Sequence, residues 1–314
     1  MILSASRRTD IPAFYAEWFM NRIRDGYVLV RNPMNYHQVS KVSLTPNIID
    51  CIVFWTKNAA PLLKDIDEIS DKYTFYFQYT LNGYGNDVER HLPDLNKKIN
   101  TFRQLSSKIG SEKVLWRYDP ILLTETYSVD WHINRFAEIA GQLKGCTNTC
   151  VFSFIDIYDK VKNNVKDMNI RACYTDEMNI IAEAFAVIAR ENGMALQTCA
   201  EAINLDKHGI KHGCCIDGEL IEKLTGCTLK AKKDKNQREE CGCLESIDIG
   251  QYNTCKHGCK YCYANFNPQS VITFSKQHDP LSPFIVGNIE PGDKITERKM
   301  KSLLEGTKGQ LSLL

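Results

Sequence analysis

The stretch KVLWRYDPILL, residues 113–123, decides how this chain folds. It opens as a bulky, largely apolar run of the kind that forms a strand buried on both faces, then carries Arg117 and Asp119 before Pro120. Charge placed at the carboxyl end of a buried strand separates two architectures. A barrel draws its site from many strand ends, whereas a doubly wound sheet uses mainly those at its switch point.

Working outward, five more runs read the same way: MILSAS at 1–6, CIVFWTK at 51–57, KYTFYFQYTL at 72–81, CVFSFIDIY at 150–158 and MALQTCAE at 194–201. Helical periodicity lies between them. Phe14, Trp18, Phe19 and Ile23 share one face, Leu92, Leu95, Ile99, Phe102 and Leu105 a second, and Met178, Ile181, Phe185 and Ile188 a third. Gly26, Gly110 and Gly193 stand where these helices should stop. Nearly every run ends in polar residues: Arg7, Arg8 and Asp10; Thr56, Lys57 and Asn58; Gln78, Thr80 and Asn82; Arg117 and Asp119; Ser153 and Asp156; Glu201. The pattern predicts an α/β fold, a partial (β/α)6 TIM-like barrel over residues 1–201, with this ring at its mouth. Arg7, Arg8, Asp10 and Glu201 are candidate catalytic groups. Asp10 also suits a helix cap with Pro12 in the first turn, and Asp119 before Pro120 suits a turn.

Beyond residue 201 the composition changes. Residues 202–265 form a cysteine-rich segment with one short helix, GELIEKL, and an exposed charge run, KAKKDKNQREE. In 266–314 SVITF reads as a strand, and the stretch from Pro283 to Gly306 ends as an amphipathic helix, both expected to pack on the barrel.

Of 314 residues, 39 are basic and 38 acidic, so a net charge of +1 supplies no field for nucleic acid or membrane. The start, MILSASRRTDIP, does not read as a signal peptide, and no segment approaches the roughly 20 apolar residues of a membrane helix. A cytoplasmic protein is expected. In that compartment thirteen cysteines point to metal rather than to disulfides, and the odd count agrees.

Three of them crowd into TCKHGCKYCYAN, residues 254–265, with intervals of three and then two. Ferredoxin-type loops use such spacing to wrap an iron-sulfur cube, and Cys255, Cys259 and Cys262 would fill three of its four corners. Structural zinc, with His257 as an added ligand, is the competing reading, although zinc sites usually join two separated pairs.

Cys255-x-x-x-Cys259-x-x-Cys262, with Tyr261 just before the last thiol, resembles the cluster loop of the radical S-adenosylmethionine superfamily, whose usual fold is a six-stranded partial βα barrel. With SASRRTDIP, FWTKN and DIGQYNTCKHGCKYCYAN, the chain is similar to a branch catalogued mainly as a domain of unknown function, distantly like the spore photoproduct lyase group. The resemblance implies a 4Fe-4S cluster on these three cysteines and S-adenosylmethionine on the fourth iron. One-electron reduction would then release a 5′-deoxyadenosyl radical that takes hydrogen from a substrate. It places Tyr261 against the adenine, where an aromatic packed under the loop is the plainer alternative. It also implies a low-potential donor such as flavodoxin or ferredoxin. Two features depart from the superfamily. The loop follows all six strands, so either the order is permuted or the loop folds over the strand ends from outside. Thr56-Lys57-Asn58 stands where many members carry Gly-Gly-Glu, so Lys57, Asn58, Arg117 and Asp119 are cofactor candidates by position alone.

Cys199, Cys215, Cys241 and Cys243 suggest a second centre, an auxiliary 4Fe-4S cluster or a zinc. Cys214 is an alternative to Cys215, which the look-alike branch favours. Two other classes stay open: a metal-bearing nucleic-acid-binding protein using Arg7, Arg8 and the 230–240 run, and a simple iron-sulfur electron carrier. A ring of convergent polar strand ends argues for an enzyme over both.

Overall fold

A computed structural model describes residues 1–157 and 159–307. The six apolar runs are strands: β1 (Ile2–Ala5), β4 (Cys51–Thr56), β5 (Phe75–Thr80), β6 (Val114–Ile121), β7 (Thr149–Phe154) and β8 (Ala195–Cys199). Tyr158, closing the fifth run, lies outside the described residues. With β9 (Lys211–Gly213) and β11 (Ile247–Asp248) they form one eight-stranded parallel sheet in the order β11-β1-β4-β5-β6-β7-β8-β9. From β1 onward each strand of the sheet joins beside its predecessor. The exception is β11, which returns to the other edge of β1, pairing Leu3 with Ile247 and Ser4 with Asp248. The cysteine-rich segment therefore re-enters the sheet.

Strand side chains alternate between two environments. Leu3, Ile52, Phe54, Phe77, Trp116 and Phe152 face the large core. Opposite them on the helices are Trp18 and Phe19 of α2 (Ala16–Asp25), Phe102 of α4 (Leu95–Ile109), Phe136 of α5 (Val129–Leu143) and Phe185 of α7 (Thr175–Glu191). Phe136 stacks on Phe185 at 3.8 Å between centroids and on Trp116 at 4.7 Å. The other face carries Ile2, Val53, Tyr76 and Leu115. It is covered by Cys215, Ile216, Cys241, Cys243 and Ile221 of α8 (Gly218–Thr225). The helix ends obey local chemistry. Asp94, Ser128 and Asp217 cap α4, α5 and α8, and Gly26 leaves α2 with φ 77°. Asp10 caps α1 (Ile11–Phe14), accepting from Ala13 N.

Three expectations need correction. A hairpin, β2 (Tyr27–Asn32) and β3 (Asn35–Ser43), interrupts the first βα unit; β2 carries a short apolar run, Tyr27–Val30, but the outer half of β3 is exposed and has none. SVITF is not a strand but part of α9 (Pro268–Lys276), because Asn267 caps Ser270 N and Pro268 pre-sets the first turn, a start signal that overrides the β-branched side chains. The amphipathic helix expected near the end is absent from the described residues. β12 (Lys294–Glu297) pairs with β3, and β13 (Leu304–Thr307) with β10 (Cys227–Leu229). Gly292 at φ 96° and Gly306 at φ 59° break helical geometry there. Residues 308–314 of that segment lie outside the described residues.

Two predictions arise from this packing. A Cβ on Gly250 would stand 2.1 Å from Ser6 Oγ and 2.7 Å from Ser6 Cβ, where β11 crosses the end of β1. Gly250→Ala should cost about 1–3 kcal/mol in chemical denaturation. His132 of α5 is fully buried between Tyr118 Oη at 2.9 Å and Leu122 O at 2.9 Å, and burial lowers its pKa from 6.5 to about 4. Between those values the unfolded chain takes a proton that the folded chain refuses. Its contribution is therefore complete above pH 6.5 and is lost as pH falls toward about 4. His132→Gln should flatten that part of the stability–pH curve.

Candidate functional site

The carboxyl ends of the strands gather almost every residue singled out by sequence. The thiol loop leaves β11 and docks on the segment after β5: His91 N donates to His257 O at 3.0 Å, Lys260 N to Val88 O at 3.0 Å, and Glu89 bridges Cys259. Gly258, at φ 66°, permits the close approach to His91. Burial pushes the Cys255, Cys259 and Cys262 thiols upward; Asp10 and the other two thiols add to this at Cys255, and Glu89 and Cys262 at Cys259, while Lys57 opposes it at Cys259 and, after two backbone hydrogen bonds, at Cys262.

Beneath the loop is a buried ionic network. Glu89 Oε1 accepts from Lys57 Nζ at 2.8 Å and from Tyr261 Oη, and Glu89 Oε2 accepts from Lys98 Nζ at 3.3 Å. Lys57 also donates to Tyr261 Oη at 2.7 Å and Asn82 Nδ2 does so at 3.2 Å. Burial alone would raise the Glu89 pKa, but the two lysines outweigh it and hold the carboxyl at about 2. Tyr261 is thus fixed by its hydroxyl, with its ring against Tyr84.

Asp10 is a tie. Beyond its cap, it accepts from Thr56 Oγ1 at 2.8 Å, Lys57 N at 2.7 Å and His257 Nε2 at 2.8 Å, joining β1, β4 and the thiol loop. Asn58 turns inward to its own chain, accepting from Ala60 N at 3.2 Å. Asp248 binds β1 to β11 by accepting from Ser4 Oγ, Ser6 Oγ, Arg7 N and Gly250 N.

The second cysteine set also converges. Cys199 Sγ is 3.3 Å from Cys215 Sγ, and Cys215 N and Ile216 N reach Cys243 Sγ at 3.2 and 3.4 Å. Hydrogen bonds link Cys215 to Cys243 and Cys243 to Cys241, and the Cys243 contact draws the Cys241 pKa down to about 7, favouring thiolate. Tyr76 Oη and Gln78 Nε2 hold Cys215 O at 2.6 and 3.1 Å. Cys214 stands outside this chain, its sulfur beside Gly242. Arg117 Nη1 donates to Cys215 Sγ at 2.8 Å while Arg117 Nε holds Asp119 at 3.0 Å; Ser153 closes on Asp119. Arg117 and Asp119 therefore sit over the second thiol set rather than beside Cys255, Cys259 and Cys262. Arg7 lies over the Trp55 ring at 5.2 Å, under the influence of Cys243 and Cys215, and its carbonyl accepts from Tyr263 Oη at 3.1 Å. Arg8 rests on Tyr252 at 5.2 Å. Glu201 accepts from Phe154 N at 2.8 Å, and burial pushes its carboxyl up to about 7.

Among the described residues no three His, Cys, Asp or Glu side chains are arranged to hold a single metal ion. Five buried side-chain polar atoms among the described residues lack a partner, and four of them belong to this rim: Arg7 Nη2, Thr9 Oγ1, His257 Nδ1 and Asn265 Oδ1. Such atoms are rare in native proteins unless a ligand, ion or water completes them. Glu89, Lys98 and Asp248 escaped the sequence reading. Asp248 had a signal, its place at the start of DIGQYNTCKHGCKYCYAN, whereas Glu89 is one of several acids in a polar loop, with Asp87 two positions before it.

A family model described as "Domain of unknown function (DUF1848)" matches residues 2–264. No curated protein matches the chain. Among solved structures, a Bacteroides thetaiotaomicron protein provisionally described as an alpha-L-fucosidase is 13% identical, with a TM-score of 0.29. The match covers 68% of this chain and 65% of that one, so the chain spans just under two thirds of that protein's length. No helix among the described residues is long and apolar enough to cross a membrane.

Proposed function

The chain belongs to the family described as Domain of unknown function (DUF1848), and since that description assigns no activity, we propose from the site itself that it is a radical S-adenosylmethionine enzyme with two iron-sulfur centres. The observation that carries the reading is the pairing of three crowded thiols and four unpartnered buried polar atoms at one rim of a parallel sheet. Cys255, Cys259 and Cys262 would hold the first cluster, leaving one iron for the cofactor, and Cys199, Cys215, Cys241 and Cys243 would ligate the second completely. When bound, the first cluster with S-adenosylmethionine supplies a 5′-deoxyadenosyl radical for hydrogen abstraction, using an electron from a donor such as flavodoxin or ferredoxin.

The strand order supports a barrel-like sheet: it advances in one direction from β1 to β9 without the reversal of a doubly wound sheet, and right-handed crossovers then place the helices on one face. With β11 beside β1, the thiol loop follows the carboxyl end of an edge strand adjoining the first, which favours the permuted order over a loop folded on from outside. The chain's own residues would act as supports. Lys57, Glu89 and Lys98 fix Tyr261 beneath the loop, Asp10 anchors His257 inside it, and Arg117 offers its N–H to Cys215 while keeping Asp119 ionised. Burial of the network keeps water from the loop's inner side.

Anaerobic purification tests the reading, with iron, sulfide and zinc measured on the same sample and electron paramagnetic resonance recorded with and without S-adenosylmethionine. The proposal expects about eight iron and eight sulfide per chain and a spectrum that changes when the cofactor binds. Zinc without sulfide would refute it and move the second thiol set to a structural role.

A further inference from the structure

The same rim carries a cavity outside the thiol network. Between the β2–β3 hairpin and residues 249–253 is a cavity of about 240 Å³ whose walls include Tyr252, Phe266, Phe274 and Phe284. Two arginines line it, Arg8 and Arg31, and no acid does among the described residues. Arg31 is committed, its fork gripping Asp293 at 2.6 and 2.9 Å. Arg8 is not held in this way. Its Nε stands 4.0 Å from Asp248, whose two oxygens already accept four hydrogen bonds at 2.6–2.9 Å. The Arg8 side chain is 25% exposed, so its guanidinium is a charge with donor capacity facing an aromatic slot.

We infer that this cavity binds a small aromatic carboxylate, its ring between the aromatic walls and its carboxylate on the Arg8 guanidinium. A planar fork matches a carboxylate in two parallel hydrogen bonds, and ring faces recognise a flat apolar body. The cavity is smaller than the roughly 300–1,000 Å³ typical of drug-sized sites, which restricts the ligand to one or two rings. With the Arg8 guanidinium only loosely paired, 4.0 Å from Asp248, and no acid among the described residues of the wall, it selects an anion over a neutral or cationic analogue. Residues 249–253 run directly into Thr254 and Cys255, so an occupant would touch the segment that carries the thiol loop.

The inference does not depend on the radical reading, since binding can be measured without turnover. Calorimetric titration of the full chain with 1-naphthoate, and with 1-naphthamide as its neutral counterpart, is the test. Naphthoate should bind roughly tenfold to a hundredfold more tightly than naphthamide, and Arg8→Gln should remove that advantage while leaving naphthamide binding unchanged. Should Arg8→Gln fail to fold, the preference of the wild-type chain alone decides. Equal affinity for the two ligands, no naphthoate binding at millimolar concentration, or full binding by a folded Arg8→Gln would each overturn the proposal.

Discussion

Cys259→Ala is expected to abolish reductive cleavage of S-adenosylmethionine and to lower the iron content from about eight to about four per chain, while the remaining cluster keeps its spectrum. The two cysteine sets occupy different segments, so their loss should be separable. Cys255, Cys259 and Cys262 sit between Asp10, Lys57 and Glu89, whereas the other four thiols lie under Arg117 and Arg7. Cys215→Ala should then lose the complementary half of the iron. If Cys259→Ala kept all its iron, the loop would not be the ligand set; if it lost all, the two sets would be one centre.

Glu89→Gln should be the most damaging single change outside the thiols. Glu89 is 1% exposed and lies between Lys98, 4% exposed, and Lys57, 15% exposed. Removing the acid leaves two ammonium groups facing each other with little water, and breaking a buried ion pair in this way costs about 3–5 kcal/mol. Urea denaturation should show the midpoint fall with little change of slope. The surface pair of Arg24 and Glu68, 48% and 32% exposed, is the control, worth about 0–1 kcal/mol. A loss of that smaller size from Glu89→Gln would mean that water reaches the network. Glu89→Gln would also loosen Tyr261, leaving Lys57 and Asn82 as its charged and amide partners, so cofactor binding should weaken as well.

The six sheet strands were readable because a strand buried on both faces needs a continuous apolar run, and Cys51–Thr56 or Phe75–Thr80 can be little else. The β2–β3 hairpin was only half readable: Tyr27–Val30 is an apolar run, but Asn35–Gln38 is exposed, and its pairing is set by a turn and by β12 some 250 positions away. The thiols announced themselves because sulfur in such density has few structural uses. Their partners did not. Asp10 meets His257 across 247 positions, and the contact of Glu89 with Tyr261 spans 172, so only folding reveals that an acid suited to a helix cap is also the tie that holds the cysteine loop. Arg117 and Asp119 could be marked as polar residues on an apolar run, yet they lie within β6 (Val114–Ile121), and their neighbours, Cys215 and Ser153, depend on which strands adjoin in the sheet.

One measurement bears most directly on the radical reading. Anaerobically purified protein, given a strong reductant and S-adenosylmethionine, should release 5′-deoxyadenosine and methionine in equal amounts, and Cys259→Ala should release neither above background. Intact clusters in the wild-type chain with no 5′-deoxyadenosine formed would contradict it.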